Sequence, residues 1–222
     1  MRDFFNPENP LMIFFARLTD LIILNLVCII CCLPIVTIGA SVTALHYVTL
    51  KMAKNEEGYI IKSFVKSFKE NLKQSTVVWL LFLVITLFFY LDLRIIKYGG
   101  LDIPKGINMV IYGTYFICCI VMMYTLPLLA RFSNTIKGTL KNASLMSVLH
   151  FGKTILMAII YLLPVMLTRL HYDFAAVYLL FGLSAPAYVN GFFWKSIFKR
   201  YEPQEEEETE ESEGFVHTWE EE

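Results

Sequence analysis

Cysteine offers the first candidate chemistry in this chain. Cys28, Cys31 and Cys32 fall in CIICC, a Cys-x-x-Cys spacing of the kind that holds zinc, and Cys118 and Cys119 are adjacent. A zinc thiolate site also needs polar groups behind its ligands. All five cysteines lie inside apolar runs that lack them, so they are expected to pack as small hydrophobes and to form no disulfide framework. Glu56 and Glu57 stand side by side in NEEGY, but no nucleophile or base accompanies them. They read as turn residues ahead of a helix, whose amino end favours negative charge, with Gly58 left-handed between helices. His46, His150, His171 and His217 are scattered without ligand spacing. No Walker loop, dinucleotide fingerprint, His-Glu-x-x-His or nucleophile elbow occurs. The expectation is a protein that is not an enzyme, with no catalytic, cofactor-binding or metal-binding residue.

Three polar residues inside apolar runs are candidates of another kind: Asp20, Asn25 and Asn190. An ionisable group at membrane depth is a functional candidate by default, although Arg17, one turn before Asp20, supplies a structural reason for that carboxylate. Ala187 and Gly191, four residues apart, would let another helix approach closely.

The elements that must position these residues are membrane helices. The chain is 56% hydrophobic and only 18% charged, with a mean hydropathy of +0.56. Ordinary globular domains carry about 25% charged residues. Five segments are long and apolar enough to cross a bilayer, near 13–35, 75–91, 107–129, 154–167 and 174–198. The fold class is therefore all-α: a polytopic transmembrane bundle of about five spans with amphipathic cytoplasmic helices. The first span follows acid-containing residues (Asp3, Glu8) and contains Asp20 and Asn25, so it is expected to be retained rather than cleaved as a signal.

The apolar run from Leu21 to Leu50 has no formal charge and would be about 45 Å long as one helix, against a hydrocarbon core of about 30 Å. Pro34 removes a backbone donor and Gly39 loosens the chain. An elbow built on Pro34, Thr37 and Gly39 is expected, with a second helix from about Ser41 to Lys54 that does not cross again. This helix either lies along the interface or folds back into the bundle. In YIIKSFVKSFKENLKQ, the residues Ile61, Phe64, Val65, Phe68 and Leu72 share one face, and Lys62, Lys66, Lys69 and Lys73 form a second stripe about 100° round. That pattern suits a helix lying flat on a membrane and equally one packed on its own bundle. ARFSNTIKGTLKNASLM is a weaker relative, with Phe132, Ile136, Leu140 and Ala143 opposite Lys137 and Lys141. Leu33-Pro34 and Leu126-Pro127 each close a span before a basic helix, which suggests a duplicated unit.

Charge is segregated. All 19 Lys and Arg lie at or before Arg200, and 11 of the 20 acids lie in Glu202–Glu222. Residues 1–201 thus form a basic transmembrane domain, and residues 202–222 an acidic tail of disordered composition that ends in an acidic-aromatic stretch. The tail could cover the basic body when no lipid or partner is bound. The cations sit at helix edges, so anionic lipid headgroups rather than nucleic acid are the expected counter-charge. Thirteen of them fall in Lys51–Lys73, Arg131–Lys153 and the end of the last span, against six elsewhere. Those loops and the tail are expected in the cytoplasm, with the amino terminus outside, or inside if the apolar stretch after Pro34 crosses as well.

Residues FFARLTDLIILNLVCIICCLPIVTIGASVTALHYVTLKMAKNEEGYIIKSFVKSFKENLKQ resemble the YesL family of bacterial integral membrane proteins, a family of unassigned function. The likeness centres on Leu33-Pro34-x-Val36-Thr37-x-Gly39-Ala40, Ala44-Leu45-x-Tyr47 and Glu57-Gly58-Tyr59, and runs through Phe64, Phe68, Lys69, Asn71 and Lys73. The remainder matches mainly in span layout. Members are typically encoded beside carbohydrate uptake transporters, glycan-degrading enzymes and sensor kinases. The resemblance implies an accessory role in sugar acquisition at the bacterial cytoplasmic membrane, with membrane lipids and a carbohydrate transporter or sensor kinase as partners. The contact surface would be the elbow and the lysine-striped helix. The alternative is a transporter or transport subunit with its own cavity beside the Pro34–Gly39 elbow, and a membrane enzyme is a third reading. A transporter would show polar or aromatic groups converging inside the bundle.

Overall fold

The computed structural model describes residues 10–56, 58–98 and 104–201. Glu57, the loop at 99–103 and the acidic tail 202–222 with His217 lie outside the described residues, as do Asp3 and Glu8. Among the described residues the chain is all helical, with no strand. Helix α1 spans Pro10–Cys32 and α2 Ile38–Lys54, with a short 3-10 turn, Ile35–Thr37, between them. Helices α3 (Ile60–Tyr98) and α4 (Lys105–Arg131) are long. They are followed by α5 (Ile136–Leu149), α6 (Phe151–Leu170), a 3-10 turn (Tyr172–Phe174), α7 (Ala175–Phe181) and α8 (Ser184–Phe198).

Among the described residues five helices are long and apolar enough to cross a membrane, but not the five expected. The stretch after Pro34 counts among them as Ile35–Lys54, beginning six residues before the helix expected from about Ser41. The expected fifth span is instead a broken pair, Tyr172–Phe181 and Ser184–Phe198, bent by 55°. Counted as one crossing, that pair would make a sixth.

Helix α2 is the centre of the bundle and packs against α1, α3, α4 and α8. Its small side chains explain this. Gly39, Ala40, Ser41, Thr43, Ala44, Thr49 and Ala53 are all buried, and small residues let neighbouring backbones approach where lipid supplies no hydrophobic drive between helices. On one side Leu45, Val48 and Met52 pack with Leu21, Leu24 and Cys28 of α1 and Phe64 of α3. On another, Leu50 joins Tyr124, Leu128, Met157, Trp194 and Phe198. Of the two placements open for the elbow helix, it takes the fold back into the bundle.

Asn55 closes α2 in the left-handed region (φ 58°), its N–H bonded to Met52 O at 3.2 Å while the Glu56 N–H reaches Lys51 O at 3.0 Å. That position was expected at Gly58. The left-handed residue must directly follow the last helical turn, and asparagine tolerates it. Helix α3 starts at Ile60 with no acid in its first turn, so Glu56 belongs to the closure of α2 rather than to the start of α3.

From Ile60 to Tyr98 there is neither glycine nor proline, so the lysine-striped segment and the following span form one uninterrupted helix of about 58 Å. A helix lying flat on the membrane and then turning to cross it is excluded by that continuity. The expected apolar face is also rotated. Phe64, Ser67, Ser75 and Val78 are buried against the bundle, whereas Ile61 and Val65 are exposed. The duplicated unit does not appear either: Pro34 lies between helices, but Pro127 sits inside α4, which continues to Arg131.

Candidate functional site

At the elbow, Pro34 takes an extended backbone (φ −75°, ψ 119°), as a proline that cannot continue a helix does. The freed carbonyls have partners. The Thr37 hydroxyl faces Cys31 O at 2.7 Å and Pro34 O at 2.8 Å, and the Trp79 indole N–H donates to Ile35 O at 2.8 Å. Gly39 is buried so tightly that a Cβ there would lie 2.5 Å from Ser75 O and from the Trp79 Cβ. Beside it Ser75 Oγ donates to Thr43 Oγ1 at 2.9 Å. The corner itself is apolar and exposed, with Leu33 76% and Ile35 65% accessible. Such a corner suits lipid better than an aqueous docking face. The clefts described below lie at other places in the bundle.

Since Gly39 meets Ser75 and the other end of α2 leads within a few residues to Ile60, the lysine-bearing half of α3 runs antiparallel along α2. Lys62, Lys66, Lys69 and Lys73 are exposed on its outer face. The carboxyl end of α2 is also where other cations gather. Lys195 of α8 donates to Ala53 O at 3.3 Å, and Lys153 of α6 to Ser196 Oγ at 2.9 Å. His150 Nε2 lies 3.3 Å from the Tyr201 hydroxyl. Burial, then Lys153 and Arg200, hold the His150 pKa below its ordinary value. Arg17 of α1 donates to Asn55 Oδ1 at 3.3 Å. The amino-terminal part of α1 therefore shares an end of the bundle with Lys51, Lys54 and the end of α8. This differs from the arrangement expected, in which the start of the first span and Lys51 lay on opposite sides. The cause is that α2 folds back along α1 as an antiparallel partner.

Asp20 and Arg17 line one cleft of about 330 Å³ at this basic end, together with Lys51, Glu56, Tyr59 and Ser63 over an apolar floor. Asp20 is thus neither isolated nor at the opposite face of the protein. An apolar cleft of about 290 Å³ lies between α6 and the α7–α8 break, bounded by Pro164, Gly182 and Pro186.

Asn25 is fully buried and serves that break. Its Oδ1 accepts from the N–H of Leu183 (3.0 Å) and of Ser184 (2.9 Å), and its Nδ2 donates to Leu179 O at 2.7 Å. One amide side chain thus replaces the helical bonds lost at the bend, where irregular backbone must be satisfied within the protein. Gly191 of α8 lies against Thr49 O and the Ala53 Cβ of α2, with its neighbour Ala187 also buried, so the close helix approach expected of this pair occurs.

Asn190 belongs to a different group. His46 of α2 lies inside the bundle with Nε2 3.4 Å from the Tyr161 hydroxyl of α6. Asn190 and Trp194 of α8 flank that hydroxyl, and Asn190 Nδ2 reaches Met157 O at 3.4 Å. Among the described residues His46 Nδ1 and Asn190 Oδ1 are buried without a hydrogen-bond partner. Three helices thus bring together a polar and aromatic hub that sequence reasoning missed. Of its members only Asn190 was a candidate from the sequence; His46 stood unassigned within the small-residue stretch of α2, and nothing in the sequence tied either to Tyr161. Cys28 is buried with Sγ 3.8 Å from Ser41 O, the packing role expected of it.

Residues 21–93, from the second half of α1 through most of α3, match the family described as "Protein of unknown function, DUF624". No curated protein and no solved structure matches the chain. The matched third of the chain contains the elbow, the central helix α2 and the lysine-bearing face of α3, so those are the parts this protein shares with that uncharacterised family.

Proposed function

We propose that this multi-pass membrane protein is of the YesL type and acts in the bacterial cytoplasmic membrane without chemistry of its own. In this reading it is an accessory partner in carbohydrate uptake or sensing, and its basic surface is the cytoplasmic contact for anionic lipid and for a transporter or sensor kinase. The observation that carries this reading is the convergence of cations from separate parts of the chain. Lys51, Lys153 and Lys195 meet at one end of the bundle, and Lys62, Lys66, Lys69 and Lys73 extend from it along α3. An excess of cations on the cytoplasmic side is the usual determinant of orientation. On this basis the start of α1 and the end of α8 both face the cytoplasm. The link to carbohydrate rests on the family resemblance alone.

The test is crosslinking and affinity capture from native membranes during growth on different glycans, comparing the natural chain with one carrying Lys62→Glu, Lys66→Glu, Lys69→Glu and Lys73→Glu. A sugar permease or kinase captured by the first and lost from the second supports the proposal. Equal capture by both removes the basic surface from it.

The second reading, a transporter or transport subunit, is favoured by one specific observation: the convergence of His46, Tyr161, Asn190 and Trp194 from three helices inside the bundle, one of them the second half of a broken helix. Discontinuous helices and converging polar groups build binding sites in transporters. Sugar flux into liposomes containing the purified protein, lost on His46→Phe, would favour this reading over the first.

A further inference from the structure

We propose that residues 202–222 dock in cis on the basic end of the bundle and along the lysine face of α3, covering that surface until an anionic partner displaces them. This rests on the reading of that surface as a docking face and adds its regulation. The tail carries 11 acids and no Lys or Arg. It leaves from Tyr201, whose hydroxyl is 3.3 Å from His150 Nε2, so it starts beside Lys153, Lys195, Lys199 and Arg200. The Lys153 and Lys195 ammonium groups donate to a hydroxyl and a backbone carbonyl, neither of which carries a formal negative charge.

Reach is sufficient. Residues 202–222 extend at most about 70 Å, whereas Lys62 to Lys73 rise only about 17 Å along α3. Attachment at the surface itself gives the tail an effective concentration of order millimolar, which a partner in solution must overcome. Counter-charges so placed interact mostly within the screening length of about 8 Å at physiological salt, so the contact must weaken as salt rises.

A labelled peptide of residues 202–222 tests this on the full chain and on a chain ending at Tyr201, both in phosphatidylcholine nanodiscs. The peptide is expected to bind the shortened chain, to bind the full chain at least about tenfold more weakly, and to lose affinity with salt. Changing Lys62, Lys66, Lys69 and Lys73 to Gln should weaken peptide binding by about tenfold. A full-length chain with the tail's Glu residues changed to Gln keeps the tail's length and should bind the peptide as the shortened chain does. Equal binding to the full and shortened chains, or binding indifferent to salt and to the lysine changes, overturns the proposal. Capture of the same partner in equal amount by full and shortened chains overturns the tail's role alone. Peptide binding as expected, with no partner captured by either chain, overturns the docking role alone.

Discussion

Asn25 has the most clearly defined task of any single residue here. It satisfies two N–H groups and one carbonyl at the α7–α8 bend, and all three would be stranded in an apolar interior without it. Asn25→Ala should cost about 2–3 kcal/mol, measured by reversible unfolding in mixed micelles. A loss below about 0.5 kcal/mol would mean that the bend finds other partners. His150 supplies a prediction in pH. Burial, Lys153 and Arg200 disfavour its charged form, so its midpoint in the chain ending at Tyr201 should fall below the ordinary value of about 6.5. The unfolded chain takes up this proton more readily than the folded one. The contribution to stability is therefore intact above about pH 6.5 and is lost as pH falls through that value toward the folded midpoint. Nitrogen-15 NMR titration reads the midpoint, and a value above 6.5 would contradict the placement of both cations. With residues 202–222 attached and docked, their carboxylates should raise it again.

Among the elements, α2 and α3 define the architecture. Their contact depends on Gly39, where a methyl group would strike the Ser75 carbonyl and the Trp79 Cβ at 2.5 Å, both on a rigid helix. At Gly191 the nearest atoms of α2 would be 3.1 and 3.3 Å away, close enough to need only a small shift. Gly39→Ala should therefore destabilise by about 2–3 kcal/mol and Gly191→Ala by about 1 kcal/mol, read as thermal melting in detergent. The reverse order would show that the α2–α3 contact is looser than the structure has it. The continuity of α3 has its own measurement. Spin labels at Lys66 and Val84, both exposed, should be separated by a rise of about 27 Å along one straight helix. A distribution centred well below that distance would restore the break between a surface helix and a span.

For the whole molecule, the arrangement of ends is what matters. The start of α1, the end of α2 and the end of α8 come together, while Arg169 and Tyr172 lie at the far end of α6. With the basic end in the cytoplasm as proposed, cysteines introduced at Phe14, Lys66 and Lys199 should react only from inside. One at Tyr172, which is 87% exposed, should react from outside. Impermeant-thiol labelling of intact cells checks this, and modification of position 66 from the outer medium would reverse the assigned orientation.

Membrane class, all-helical fold, the break at Pro34 and the segregation of charge were all determined by the sequence, because each depends on composition or on local backbone chemistry. Which helices run together was not. Helix α2 looked too short and too rich in Thr and Ser to cross the membrane, and whether it would lie along the interface or fold back was open; its small hydroxyl-bearing side chains are what allow four neighbours to close on it. The lysine stripe was legible, but its union with the following span depended on the absence of any breaker near Gln74 and Ser75, which periodicity alone does not weigh. Asn25, His46, Tyr161 and Asn190 acquired their roles only in three dimensions. A polar side chain inside an apolar run must be satisfied, but its partner lies on another helix, 33 residues away for Asn190 and more than a hundred for Asn25 and His46, and only the packing of the bundle selects it.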